Sequence, residues 1–369
     1  MVQRRDATPI PGPDAFAGTG RDARLSQAAI VLSVGAAAGG VPARVDHPVA
    51  IGLPADLTPL GRPQPIPVAD AAAPLRIELT RHLADRQLRI PATVCAELMS
   101  RLMERPEPVT AAALVEANLH SGSRLVRTAA AVAALDTTGP RDDLLAHLVE
   151  GATRGDALTR ELGRVGVARI DPGHAALRNV VARPSPLTGT DRPSHTAVLT
   201  HGSFAGLTRW WQPGGDFYSY LDALVPPLKL HDPSFRWSGL YADGARQLAA
   251  QQLVEWVADQ NLQRPDFFAH SHGGTVANLA TVRGAEFDRL VLLSWPVHEQ
   301  WFPDFTRVRR IIDVRVRLDL IILADRGGQT FTPPPEHAAI VSSHVNGWFD
   351  HSEAHQPDYW ERHGLPSIL

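Results

Sequence analysis

The second half of the chain alternates short apolar runs with amphipathic patterns, and this alternation constrains the fold more than any other feature. Each apolar run from residue 195 onward has strand length, and helical periodicity of three or four residues separates the runs. We expect helices at ARQLAAQQLVEWVADQ and GGTVANLATV, and strands at TAVLTHG, SFRWSGLY, PDFFAHS, DRLVLLSWP, VRLDLIILAD and AAIVSSHV. This order predicts an α/β fold with a mostly parallel sheet covered by helices on both faces.

A different pattern precedes it, typical of short antiparallel helices. Residues 76–182 contain a series of segments with apolar residues three or four apart, separated by Gly, Pro, Ser and Asp. The segments are LRIELTRHLADRQL, ATVCAELMSRLMER, PVTAAALVEANLH, SRLVRTAAAVAAL, RDDLLAHLVEGAT and ALTRELGRVGVA. We therefore expect an all-helical domain over 76–182, joined by a linker to an α/β domain over 195–369.

Proline dominates the beginning of the chain. Residues 1–75 hold 11 of the 31 prolines, so we expect an extended or partly disordered segment without long helices. Within it, residues 25–40 follow two arginines and end in small residues, as a secretory signal does. The alternative is an ordinary strand or helix. We expect a cytoplasmic protein, or a secreted one if this stretch belongs to a signal.

Composition excludes several functional classes. The chain has 369 residues, 44% of them hydrophobic and 20% charged, which is a globular composition. Its formal net charge is −3, so we expect no nucleic-acid partner. No apolar run reaches the length of a membrane span. Cys95 is the single cysteine, so no internal disulfide forms, and we expect a buried structural thiol.

The stretch FFAHSHGGTVA predicts a serine at a strand-to-helix turn. Ser271 follows the strand pattern DFFA and precedes the helix pattern GGTVANLA. Such a turn needs small residues two positions before and after the serine, here Ala269 and Gly273. The pattern matches the nucleophile elbow G-x-S-x-G, with alanine at the first glycine. Ser271 is therefore the candidate nucleophile.

Two main-chain N–H groups are candidates for an oxyanion hole. One belongs to His272, because it begins the helix after the serine. The other belongs to Ser203 or Phe204, which follow His201 and a glycine at the end of the first strand. We expect His201 to orient this loop by hydrogen bonding rather than to transfer protons.

The acid and the base are expected after the nucleophile, in the order Ser, Asp or Glu, His. Asp325 follows the apolar run LDLIILA and precedes the loop-like RGGQ, so it is the preferred acid; Asp319 lies inside the predicted strand and Asp313 lies further upstream. His351, in NGWFDHSEAHQPDYW, is the preferred base, followed by His355 and His344.

Together these motifs resemble the α/β-hydrolase superfamily, of the serine esterase and lipase kind. THGSFAGLTRWW, AHSHGG, LSWPV, ILAD and DHSEAHQPDYW occur in the order of that family over residues 195–369. The resemblance implies a Ser271–His351–Asp325 triad, hydrolysis of a small-molecule carboxylic ester through an acyl-enzyme, and no cofactor. We expect His201 and the aromatic residues Trp210 and Trp211 to contribute to substrate binding.

Other readings remain open at this point. The same triad serves an acyltransferase that passes the acyl group to an alcohol or amine. A protein from another class would bind a partner through its helical half and carry an inactive hydrolase domain. His351, Glu353 and His355 also suggest metal ligands, which we rank below the triad because no further donor is apparent. We therefore expect no metal.

Overall fold

The computed structural model describes residues 6–41, 47–54, 59–60, 92–187, 196–224 and 228–369. Predictions about the helix LRIELTRHLADRQL, most of the linker and much of the proline-rich segment lie outside these residues. The chain divides into two compact units. One comprises the described residues between 6 and 170 and the segment Leu323–Arg326, and the other comprises the described residues of 171–322 and 327–369.

The described part of the first unit consists mainly of helices. Its α-helices are α1 Gly12–Ala17, α2 Arg21–Ala38, α3 Ala92–Glu104, α4 Pro108–Asn118, α5 Arg124–Thr137, α6 Asp142–Arg154 and α7 Ala157–Ile170. Helices α3 to α7 form at five of the predicted segments. Cys95 is buried in α3, and burial raises the pKa of its thiol to about 12, as an inert structural thiol requires.

Helix α2 corrects the prediction for the beginning of the chain. Residues 25–38, expected in an extended segment, belong to an 18-residue helix in which nearly every residue after Ala23 is buried. Its Gly35 packs so closely on α5 that an added Cβ would lie 2.4 Å from the Cβ of Ala133. The prolines did not prevent this helix because none of them lies between Pro13 and Pro42. Among the described helices, none is both long and apolar enough to cross a membrane.

The second unit contains a five-stranded, all-parallel sheet in the order β1-β2-β3-β4-β5. The strands are β1 Ala197–Thr200, β2 Asp266–His270, β3 Phe287–Leu293, β4 Val308–Arg317 and β5 Val341–Trp348. Its helices are α8 Asp216–Asp222, α9 Asp243–Asp259, α10 His272–Val282 and α12 Pro357–Arg362, while α11 Leu320–Asp325 begins here and ends in the Leu323–Arg326 segment. The fold of this unit is therefore α/β, as predicted.

Alternate residues of the strands face opposite sides of the sheet and build two apolar layers. Phe267 and Leu290 pack with residues of α9 and α10, such as Trp256. Phe268 and Val291, one position further along each strand, pack with residues of α8 and α12. Burial on both faces explains why these strands read as continuous apolar runs.

Two strand predictions are wrong. SFRWSGLY contains no strand residue, although it follows Leu230, which bridges to Ala197 in parallel. VRLDLIILAD is not the fifth strand either. Strand β4 occupies the preceding VRRIIDVRVR, and LIILAD forms the short helix α11. An apolar run of five residues is too short for periodicity to separate a strand from a helix.

Candidate functional site

A buried histidine–aspartate pair lies where two neighbouring strands end. Asp319 comes just after β4, and His351 comes just after β5. The Nδ1 of His351 lies 2.7 Å from Oδ2 of Asp319, and both side chains are fully buried. A carboxylate oxygen can only accept, so Nδ1 carries the proton and Nε2 is the basic nitrogen of the ring.

The neighbouring backbone keeps these two loops together. The N–H of Phe349 donates to the carbonyl of Arg317 at 2.8 Å, and the N–H of Leu320 donates to the carbonyl of Phe349 at 3.2 Å. Parallel pairing of β4 and β5 thus continues past the ends of the strands. Asp319 and His351, 32 residues apart in the sequence, meet for this reason.

The other oxygen of Asp319 caps the helix that follows. Oδ1 accepts from the N–H groups of Ile321 and Ile322, at 3.0 and 3.1 Å. These are the unpaired donors of the first turn of α11. The carboxylate therefore accepts hydrogen bonds on both oxygens and is held in one orientation toward His351.

The prediction of Asp325 as the acid is corrected by this geometry. Asp325 ends α11, six residues after Asp319, which precedes the helix. It belongs to the segment Leu323–Arg326, which groups with the helical unit. In that unit the carbonyl of Ala324 accepts from Arg169, and Arg326 pairs with Asp136. The acid partner of His351 is Asp319.

Ser271 occupies a strained turn between β2 and α10. Its backbone has φ 53° and ψ −133°, a conformation that costs a non-glycine residue about 1–3 kcal/mol. Its N–H donates to the carbonyl of Leu293 in β3, and its own carbonyl accepts from Gly274, both at 2.8 Å. The sheet and the helix thus hold the predicted serine in the predicted strand-to-helix turn.

Glycines allow three backbone segments to converge on this turn. A Cβ on Gly202 would lie 2.6 Å from the Cβ of Ser271, which brings the loop after β1 directly against the serine. A Cβ on Gly273 would lie 2.5 Å from the carbonyl oxygen of His201, and one on Gly274 would lie 2.9 Å from the ring of Trp295. Larger residues at these positions would push the loop, the turn and β3 apart.

The serine turn and the histidine loop are adjacent at the same edge of the sheet. His270, which precedes Ser271, donates from Nε2 to the carbonyl of His351 at 3.3 Å. The two imidazole rings lie 4.6 Å apart, centroid to centroid. The structure thus brings together Ser271, His351, Asp319 and the Gly202 loop at the carboxyl ends of the strands, where ligands bind in open α/β sheets.

Of the predicted oxyanion donors, two keep the expected position and one is already engaged. His272 is the first residue of α10, directly after Ser271. Ser203 is buried in the loop that contacts the serine through Gly202. The N–H of Phe204 donates to the carbonyl of Gly239 at 2.9 Å, so Ser203 is the candidate in this loop.

His201 and Trp211 support the loop rather than line an open site. His201 is fully buried; its Nδ1 donates to the carbonyl of Gly202 at 2.8 Å, and its ring stacks on Trp237. Burial lowers the pKa of His201 to about 4, so the ring is neutral at pH 7. Trp211 is 1% exposed and lies against the His201 ring. The prediction that these two residues bind substrate is therefore corrected: both are buried and support the loop.

Trp210, predicted to bind substrate, packs against two histidine rings. It is half-buried and stacks on His355 with ring centroids 3.9 Å apart. Its edge also meets His270, beside the His351 ring. Burial lowers the pKa of His355 to about 3 and that of His270 as well, so both rings are neutral near pH 7. No group of His, Cys, Asp or Glu side chains suited to a metal ion occurs among the described residues.

Asp319 is the site residue that the sequence interpretation passed over. Two signals pointed to it. The alternation in VRRIIDVRVR is a strand pattern that ends just before Asp319, and aspartate is a favoured N-cap for the helix that follows. The apolar run LIILA favours a strand that would include Asp319, so neither signal leads to Asp319 as the acid.

Comparisons with known proteins assign no function to this site. No family model matches the chain, and no curated protein or solved structure matches it. The chemistry of the site is therefore inferred from the geometry described above.

Proposed function

We propose that the chain is a serine hydrolase with an α/β-hydrolase-like catalytic unit, which cleaves a carboxylic ester through an acyl-enzyme. The observation that carries this proposal is the His351–Asp319 pair beside the strained turn of Ser271. A neutral serine is a weak nucleophile at pH 7 and needs an adjacent base. The tautomer fixed by Asp319 makes Nε2 of His351 that base.

In the proposed reaction, the hydroxyl of Ser271 attacks the acyl carbon while His351 takes its proton. The N–H groups of His272 and Ser203 stabilise the oxyanion, with about 3 kcal/mol for each donor. The protonated His351 then gives its proton to the leaving alcohol. Water, activated by His351, cleaves the acyl-enzyme and releases the acid and Ser271. Asp319 accepts from Nδ1–H of His351 and stabilises the imidazolium throughout.

Ser271 sits in a conformation that supports this role. Hydrogen bonds from the sheet and the helix hold the turn and offset the unfavourable free energy of its positive φ. Backbone strain of this kind is concentrated at functional sites. The same turn places the start of α10 beside the hydroxyl, where its positive end favours developing negative charge. A serine kept only for packing would not require this backbone.

A fluorophosphonate probe tests the proposal directly. We expect the full chain to be phosphonylated on the peptide that contains Ser271, as measured by intact mass and peptide mapping, and Ser271→Ala to remain unlabelled. Ser234→Ala is the matched control, because Ser234 is a buried serine that donates to Trp211 away from the turn. A folded wild-type chain that takes no label would refute the proposal.

The preferred length of the acyl chain is then determined with p-nitrophenyl esters of increasing chain length. Release of p-nitrophenol by the wild type but not by Ser271→Ala assigns the ester activity. The position of the optimum in kcat/KM gives the size of the acyl pocket. Labelling without turnover of any ester in water would instead favour transfer to another acceptor.

A further inference from the structure

One buried glutamine holds the backbone of Asp319 on both sides. Oε1 of Gln329 accepts from the N–H of Asp319 at 2.9 Å, and Nε2 donates to the carbonyl of Asp319 at 3.1 Å. Gln329 is 2% exposed. A single amide thus pairs with both main-chain groups of a residue that lies between β4 and α11, and its N–H has no place in either element.

The chain needs this support because it reverses just before Asp319. Leu318 has φ 50°, in the left-handed region that a leucine rarely adopts. This reversal points Asp319 back toward β5 and His351. Without the amide of Gln329, the N–H of Asp319 would have to find another partner, and the turn would shift.

Gln329 is itself anchored to the sheet. Nη1 of Arg315 donates to its carbonyl at 3.3 Å, and Nε of Arg315 donates to Asp313 at 2.6 Å. Arg315 and Asp313 are both fully buried in β4. A continuous set of hydrogen bonds therefore runs from an ion pair in the sheet through Gln329 to Asp319 and His351.

We propose that Gln329 is a positioning residue that sets the place of the Asp319 carboxylate opposite His351. Its amide touches neither the serine nor the reacting atoms, so it acts only through the Asp319 backbone. The catalytic consequence rests on the proposed function, whereas the geometric consequence for the Asp319–His351 hydrogen bond does not.

Gln329→Met tests this positioning at nearly constant volume, because it removes both hydrogen bonds to Asp319. We expect kcat/KM on the best p-nitrophenyl ester to fall by up to about 10²-fold with KM nearly unchanged. The acidic limb of the pH profile should move to lower pH, because a misplaced carboxylate stabilises the imidazolium less. Gln329→Asn keeps an amide on a shorter chain and should lose less activity than Gln329→Met.

The second measurement does not depend on activity. In protein labelled with ¹⁵N-histidine, the Nδ1–H proton of His351 should give a far-downfield NMR signal, since it lies in a short hydrogen bond to a carboxylate. We expect Gln329→Met to move or broaden this signal. Gln260→Ala is the matched control, because Gln260 is another buried glutamine, which bonds to His231 and Asp259 away from the pair.

The outcomes separate this inference from the proposed function. If Gln329→Met and Gln329→Asn keep the wild-type rate, pH profile and NMR signal, the positioning role is wrong and the hydrolase proposal stands. If the wild type is never labelled by the fluorophosphonate, the hydrolase proposal fails. The NMR signal alone then decides whether Gln329 positions Asp319 opposite His351. If Gln329→Met does not fold, Gln329→Asn provides the same comparison. A signal that moves equally in Gln260→Ala also overturns the inference.

Discussion

At the scale of single residues, the carboxylate of Asp319 performs two tasks. One oxygen caps α11 and the other holds His351, so the orientation of the histidine is tied to the start of a helix. Asp325, six residues later, lies at the other end of α11. The choice between these two aspartates is the sharpest difference between the sequence interpretation and the structure.

Asp319→Asn should therefore be far more damaging than Asp325→Asn. An amide at 319 can donate to Nδ1 of His351 and favour the wrong tautomer, so we expect kcat to fall by about 10³- to 10⁴-fold. Asp325→Asn should change kcat by no more than a few-fold. Ester turnover and the rate of fluorophosphonate labelling measure both variants. Equal losses would contradict the assignment of the acid to Asp319.

The sequence alone could identify four candidate residues because their signals are local: Ser271, His351, His272 and Ser203. A serine in a strand-to-helix motif, a histidine after a turn and a glycine-containing loop can each be recognised within about ten residues. Local patterns do not identify Asp319 and Gln329. Their roles depend on where β4 ends and on which loop returns beside it, and both depend on strand pairing.

At the scale of elements, two kinds of segment behaved differently. Helices α3 and α5 to α7 were predictable because their apolar periodicity extends over 13 or 14 residues, whereas α4 has no apolar stripe and is delimited by the breaks ERPEP and HSGS. Short apolar runs were ambiguous, and SFRWSGLY and LIILAD were both assigned wrongly. For α2 a helix was only one of the alternatives, because its alanine-rich sequence is buried nearly all round and shows no clear apolar stripe.

Gly35→Ala tests the tight packing of α2 on α5. A Cβ at position 35 would lie 2.4 Å from the Cβ and 3.0 Å from the Cα of Ala133, so the helices would have to separate. Because the clash involves backbone atoms of Ala133, we expect overpacking to cost about 2–3 kcal/mol, which exceeds the gain of about 1 kcal/mol in helix propensity. Differential scanning calorimetry should show a lower melting temperature.

The control for this substitution is Gly244→Ala in α9, where no atom lies within 4 Å of the added Cβ. Helix propensity alone should act there, so the melting temperature should stay constant or rise. A rise at Gly35→Ala as well would show that α2 and α5 do not pack as closely as described.

At the scale of the whole molecule, buried neutral histidines make stability depend on pH. The pKa of His201 falls from 6.5 to about 4 on folding, and that of His355 falls to about 3, in both cases because burial disfavours the charged ring. The unfolded chain binds these protons near pH 6.5, whereas the folded chain does not. Stability is therefore complete above about pH 6.5 and is lost as the pH falls toward 4 and then 3.

We expect the melting temperature to decrease steadily between pH 7 and pH 4. His201 alone accounts for about 3 kcal/mol of this loss, from about 1.4 kcal/mol for each unit of its pKa shift. His355→Phe keeps an aromatic ring against Trp210 but removes one titrating group, so its melting temperature should fall less steeply. A variant as acid-sensitive as the wild type would exclude His355 as a source of the effect.

The sequence by itself determined the α/β class of the second unit, the helical character of residues 92–170 and the strand-to-helix turn of Ser271. These features are local, since periodicity and small residues near a turn act within one or two elements. Only the tertiary structure decided that Asp319, supported by Gln329, is the acid beside His351. That outcome depends on the register of β4 against β5 and on the loops beyond them, where contacts between distant residues select one aspartate over another.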